Sequence, residues 1–234
     1  MKKKFRIVVS IFVNRNFAQL KEKIKIAKLE GADVIELRAD SYPKISVNDL
    51  LKLKKISNAL KIPVIFTLRS KEEGGKYNFS FEKKLKLIEK ALNLNFEYVD
   101  IELKFLEKLG KNVLKLKGNS KIKIILSFHN LKGTETLEGL RGIKKRIASL
   151  KPDIIKLAVF SRSEKTNQDI LKIIKETKRE GKDIVGIALG ERGKKIRLKS
   201  AFEGNYLTYC CLNKKEKTAT GQLTLNDFKK LTGV

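Results

Sequence analysis

Histidine occurs once in this chain, methionine once, cysteine twice and tryptophan not at all. The two cysteines, Cys210 and Cys211, are adjacent, and adjacent side chains diverge in a strand. A bridge between them is not expected, and the reducing cytoplasm is the compartment that fits. No apolar run approaches the roughly 20 residues needed to cross a bilayer, so no membrane partner is expected. The opening MKKKFRIVVSIFV has the basic head and apolar stretch of an export signal. However, Arg6 begins the run, Asn14, Arg15 and Asn16 end it, and no small-residue cleavage site follows, so it reads as a first strand. Aromatic residues make up only 7% and are not interleaved with the basic clusters as base-stacking platforms are. The formal charge of +27, which alone would suggest a non-enzymatic nucleic-acid binder, therefore reads as a solvated lysine coat. A small anionic substrate would still gain from the positive field.

The chain also lacks a linker, an internal repeat and a glycine-rich phosphate turn. The segment after the first strand is IFVNRNFAQL, which argues against an open doubly wound sheet. What remains is one domain over residues 1–234 in which apolar β-branched runs alternate with helix-period segments. Strands are expected at Phe5–Val13, Asp33–Asp40, Pro63–Arg69, Tyr98–Leu103, Ile122–His129, Asp153–Phe160, Asp183–Leu189 and Tyr206–Leu212. Phe81, Leu85, Ile88 and Leu92 recur at helical spacing, as do Leu140, Ile143, Ile147 and Leu150. Eight strand–helix units in this length predict an α/β fold, the TIM (β/α)8 barrel.

In such barrels chemistry collects at the C-terminal ends of the strands. Polar residues stand there in strand after strand. Glu36, Arg38 and Asp40 end the second and share one face by period two. Arg69 ends the third, with Glu73 in the loop that follows. Asp100 and Glu102 lie on the fourth, Ser127 and His129 on the fifth, and Lys156 on the sixth. Arg197 follows the seventh, and Thr218 and Gln222 follow the eighth. A lone histidine is more often structural than catalytic, but its place at the end of an apolar strand favours chemistry. Lys156 interrupts a run that reads as fully buried. It could snorkel or pair with a carboxylate such as Glu102; as a desolvated amine among hydrocarbon walls it would instead be a Schiff-base nucleophile. Glu36, Arg38 and Arg69 read either as an ion-pair cluster or as a polar substrate pocket. Arg197 reads either as surface decoration or as a carboxylate clamp.

Six segments in order, ELRAD (36–40), TLRSKEEGG (67–75), SFHN (127–130), IIKLAV (154–159), LGERGKKIR (189–197) and KTATGQ (217–222), resemble the type I 3-dehydroquinate dehydratases. The resemblance implies a barrel, a homodimer, no metal or organic cofactor, and dehydration of 3-dehydroquinate to 3-dehydroshikimate. By motif it puts the Schiff-base lysine at Lys156, the acid–base at His129 and the glutamate orienting that histidine at Glu73. It puts substrate contacts at Glu36, Arg38, Arg69, Arg197, Thr218 and Gln222. The family's final loop reads Ala-Ser-Ala-Pro-Gly-Gln; here Thr218 keeps a hydroxyl and Thr220 replaces proline, a change expected to affect lid closure rather than chemistry. A class I aldolase would share the lysine-in-strand logic but would not account for SFHN and TLRSKEEGG at their spacing.

Overall fold

The computed structural model describes residues 5–110, 113–118, 121–133 and 135–234. Eight strands, β1 (Arg6–Phe12), β2 (Val34–Arg38), β3 (Val64–Thr67), β4 (Tyr98–Glu102), β5 (Lys123–Asn130), β6 (Ile154–Phe160), β7 (Asp183–Leu189) and β8 (Leu207–Cys211), each lead towards a helix. The helices are α1 (Phe17–Leu29), α2 (Val47–Leu60), α3 (Phe81–Asn93), α4 (Leu103–Leu109), α5 (Val113–Lys117), α6 (Leu137–Ser149), α7 (Glu164–Arg179), α8 (Lys194–Glu203) and α9 (Leu225–Thr232). A two-residue strand, β9 (Leu223–Thr224), precedes α9. Every strand pairing is parallel, in the order β7-β6-β5-β4-β3-β2-β1-β8-β9. Five helices begin on a Ser or Thr whose hydroxyl accepts a free N–H of the first turn: Ser46, Ser80, Thr136, Ser163 and Thr224.

The barrel departs from the expected eight-strand ring at one seam. β7 and β8 share no strand ladder among the described residues. At the bottom the gap is bridged by Tyr206 N–H to Ile184 O (2.8 Å) and by the Asn205 side chain. That amide receives the Gly186 N–H (2.8 Å) and donates back to Gly186 O (2.9 Å), doing the work of a missing strand residue. At the mouth the other edge of β8 is taken by β9, at Cys210 and Cys211. The final loop enters the same opening, with Gly190 N–H donating to Thr220 O (3.1 Å). A two-residue strand is too short to show as a periodic run, so nothing in the pattern announced it.

Strand ends also differ from expectation. β2 stops at Arg38, because Ala39–Ser41 form a single 3-10 turn. Asp40 therefore meets Arg38 side chain to side chain, not along a strand face. β3 begins after Pro63, which has no N–H to donate but whose carbonyl accepts from Ile35 (3.0 Å).

The strands are buried on both faces. Outside, they pack on helix stripes such as Leu50 and Leu53 of α2, Leu87 and Ile88 of α3, and Ile170, Ile173 and Ile174 of α7. Inside, the lower barrel is filled by Val8, Val34, Ile65, Tyr98, Ile125, Ile154, Val185 and Leu207, one from each strand. Two residues further along, about 6.6 Å up the strand, the inward position becomes Ser10, Glu36, Thr67, Asp100, Ser127, Lys156 and Tyr209, with Ile187 on β7 the exception. An apolar plug thus carries a polar floor.

Candidate active site

Above that floor opens a cavity of about 260 Å³. All nine residues singled out by sequence line it: Glu36, Arg38, Arg69, Glu73, His129, Lys156, Arg197, Thr218 and Gln222. They come from five strands or the loops just after them and, for Arg197, from the first turn of α8 after β7; parallel pairing is what gathers them. Ser127 stands opposite Lys156 across β5 and β6, so His129 lies two residues above the lysine on the neighbouring strand.

Lys156 is 3% exposed. Its amine is not walled by hydrocarbon alone, as sequence suggested. Nζ donates to Asp100 Oδ2 (2.8 Å), lies 3.7 Å from Glu36 Oε1, and sits 4.4 Å from the centre of the Tyr209 ring. The carboxylate partner is Asp100, not Glu102, because residues 100 and 102 sit at different heights on β4. Glu102 is instead taken up by Arg69 (3.3 Å), Ser70 and Lys84.

Asp100 is the hub of the floor. It receives Arg69 Nη2 (2.7 Å), the Ser127 hydroxyl (2.6 Å) and Lys156. Burial alone would raise its pKa. The attraction of Arg69, then Lys156, outweighs burial and holds it well below the usual carboxylate range. Glu36 accepts from Ser10 Oγ (2.6 Å) and Thr67 Oγ1 (3.1 Å). Arg38 is clamped in two-pronged fashion by Asp40 (2.8 and 3.0 Å) and also reaches Gly74 O (3.4 Å).

His129 Nδ1 meets Glu73 Oε2 at 2.8 Å. Burial, reinforced by the positive charges of Arg69 and Lys156, depresses the imidazole pKa well below its ordinary value, so the ring is neutral at pH 7. Burial pushes the Glu73 carboxyl up to about 7, against the pull of Arg69, whose Nη1 is 3.6 Å away. With Glu73 ionised, Nδ1–H donates to it, and Nε2 keeps the free lone pair. Glu73 is set by a tight turn: Gly75 N–H returns to Ser70 O (2.8 Å), and a side chain at Gly75 would bring Cβ within 2.1 Å of Arg69 O.

Arg197 is buried, and no carboxylate pairs with it among the described residues. Its Nε donates to Ala188 O (3.0 Å) and its Nη2 to Thr220 O (2.9 Å), which aim the guanidinium while leaving other donors free. Burial lowers its pKa to about 10, at which it is still charged at pH 7. A buried cation held by neutral carbonyls is a ready partner for an anionic ligand. In the final loop the Thr218 N–H and hydroxyl both bond Gln222 Oε1 (2.8 and 3.1 Å), so Thr220 and Gln222 close the cavity beside Arg197.

Sequence reasoning did not select Ser10, Asp100 or Tyr209 as site residues. Asp100 was visible as a strand-end acid but belongs to none of the six segments. Tyr209, in LTYCC, reads as an ordinary core aromatic. The alternation of apolar and polar inward residues in seven strands was the signal available. Among the described residues no group of three or more His, Cys, Asp or Glu is placed to hold a metal ion, and no helix is long and apolar enough to cross a membrane.

The comparisons with known proteins agree with this geometry. The family model for type I 3-dehydroquinase matches residues 7–234. The 3-dehydroquinate dehydratase of Methanocaldococcus jannaschii is 35% identical over 91% of this chain and 92% of its own length. That of Thermococcus onnurineus is 31% identical over 96% of each. Among solved structures, the Aquifex aeolicus 3-dehydroquinate dehydratase superposes with a TM-score of 0.80 at 30% identity, covering 97% of both chains. The Geobacillus kaustophilus one gives 0.85 at 24% identity, covering 97% of this chain and 90% of that one, and speaks for the fold. With the match spanning nearly every residue, the chain belongs to the type I 3-dehydroquinase family.

Proposed function

We propose that this chain is a 3-dehydroquinate dehydratase, a shikimate-pathway lyase of aromatic amino acid biosynthesis, which works through an imine on Lys156. The observation that carries the reading is the convergence of a buried amine, a neutral imidazole and an unpaired guanidinium on one cavity. Lys156 Nζ, having passed a proton to the site, attacks the ring ketone. A C–N bond forms, and the carbonyl oxygen leaves as water, giving an iminium. His129 Nε2 then removes the proton next to that carbon, and the C–H electrons flow to nitrogen as an enamine. The enamine expels the neighbouring hydroxyl, which takes the proton back from His129 and departs as water. Hydrolysis of the conjugated iminium releases 3-dehydroshikimate and restores the amine. One imidazole serves both proton transfers, with Glu73 holding its tautomer.

Arg197 would bind the substrate carboxylate, and Gln222 with Thr218 would close over it. Glu36 and Arg38 would meet ring hydroxyls. Arg69, whose donors are engaged by Asp100, Glu102 and Ser127, would act mainly by holding the floor in place. The same reading makes the chain one catalytic domain, cytoplasmic and homodimeric; the dimer rests on family likeness and is measured by light scattering.

The test is borohydride reduction in the presence of 3-dehydroquinate, followed by peptide mass spectrometry. The expected adduct sits on Lys156. Lys156→Ala should lose it, together with at least about a thousandfold in turnover. His129→Ala should still be trapped but should stall. An adduct of undiminished yield in Lys156→Ala would remove the lysine from its role.

A further inference from the structure

One buried ion pair has no part in the mechanism above. Lys84, on the inward face of α3, is 7% exposed and Glu102, the last residue of β4, is 3% exposed; neither lines the cavity. Lys84 Nζ donates to Glu102 Oε2 and to Ser70 Oγ (2.8 Å). Glu102 in turn accepts the Ser70 N–H (2.8 Å), the Ser70 hydroxyl and Arg69 Nη1 (3.3 Å). Ser70 is the pivot of the turn that carries Glu73, since its carbonyl accepts both Glu73 N–H (3.0 Å) and Gly75 N–H (2.8 Å). Both the backbone and the hydroxyl of the pivot are therefore held by Glu102, and Glu102 is held by a cation reaching in from the helical layer. A buried pair is weak evidence of stability by itself, because removing two charges from water costs about as much as their attraction returns. Fixing geometry is the role that remains.

We propose that Lys84 and Glu102 are positioning residues, a strut from α3 through Ser70 that sets the Glu73–His129 contact and hence the aim of the proton carrier. This rests on His129 being the acid–base. The two charges also bear on Glu73 in opposite senses. Its surroundings are His129 on β5 (2.8 Å), Arg69 just after β3 (3.6 Å), Asp100 and Glu102 on β4, and Lys84 on α3. Arg38 on β2 touches the turn at Gly74 O, and Lys156 on β6 acts on His129. Glu102 raises the Glu73 pKa, and Lys84 lowers it.

The experiment is the pH dependence of kcat and KM for Lys84→Met and the isosteric Glu102→Gln, with Lys86→Met, an exposed lysine of the same helix, as control. On this reading turnover needs ionised Glu73, so kcat of the parent should rise with pH through about 7. Both variants should lose about tenfold to a hundredfold in kcat with KM changed little, as expected of a misaimed group. The acid limb should move up by about half a pH unit or more in Lys84→Met and down in Glu102→Gln. The double variant Lys84→Met/Glu102→Gln should bring it back towards the parent. A limb that stays put, moves the same way in both, or a loss confined to KM overturns the strut; should Lys84→Met not fold, the direction in Glu102→Gln decides. All these variants should still trap substrate on Lys156. A parent enzyme that traps none overturns the Lys156 reading separately, whatever the limbs do.

Discussion

Lysine or arginine meets glutamate or aspartate in two settings here, and the two do different things. On the surface, Arg146 of α6 makes three good hydrogen bonds to Glu107 (2.7 to 3.2 Å), yet the partners are 58% and 38% exposed. In the barrel mouth, Asp100 makes contacts of similar length to Arg69 and Lys156 with every partner under 5% exposed. The lengths barely differ; water does. Outside, each charge keeps most of its hydration, and the exposed lysines among the described residues carry their charge there at little cost. Inside, five carboxylates (Glu36, Asp40, Glu73, Asp100, Glu102) stand against five cations (Arg38, Arg69, Lys84, Lys156, Arg197); Arg197 is held by carbonyls alone, and none of the groups that are paired can lose its partner cheaply. Balance within and excess without let a strongly basic chain bury a charged site.

The severest way to break that balance is Asp100→Asn. The shape is kept, but Arg69 and Lys156 face each other across a neutral amide. The expected loss is about 3 kcal/mol or more in stability, read as a urea midpoint at pH 7, together with loss of Lys156 trapping. A variant as stable and as readily trapped as the parent would mean that the floor tolerates unpaired cations.

A smaller effect sharpens the comparison by pH. Glu73 has a folded pKa near 7, above its unfolded 4.5, so it contributes stability fully present below about 4.5 and lost as pH rises through 7. His129 has a folded pKa well below 6.5, so it contributes stability present above 6.5 and lost as pH falls through the folded value. Between about pH 5 and 6.5 the slopes oppose and the parent should be nearly flat. Glu73→Gln should leave stability rising with pH, and His129→Gln should leave it falling, each by on the order of 1–2 kcal/mol across the window. Parallel urea-midpoint profiles in all three proteins would show that the pair does not titrate as its burial demands.

The contrast between the two settings also explains what could be read without a structure. The strands were legible because they are buried on both faces and so read as unbroken apolar runs. A polar residue near their ends stood out for the same reason, as Lys156 does between Ile155 and Leu157. The partner choice was not legible. Glu102 and Asp100 are two residues apart on one strand, and only register and side-chain reach assign one to Lys84 and the other to Lys156. Lys84 itself was invisible, since one more lysine in FEKKLKLIEK looks like part of the coat. The β7–β8 seam was hidden because Asn205 closes it with a side chain, which leaves no periodic trace.

The smallest expected effect comes from the surface pair. Arg146→Ala removes more hydrogen bonds than Glu102→Gln does, so a ledger that counted contacts would rank it the more damaging. Its partner Glu107 is left in water, not in a cavity, and pays no desolvation when abandoned. The thermal midpoint should move by about 2 °C or less, with kcat and KM unchanged. A drop comparable to that of Asp100→Asn would show that solvent exposure does not govern what these charges contribute, and the distinction between mouth and coat would have to be abandoned.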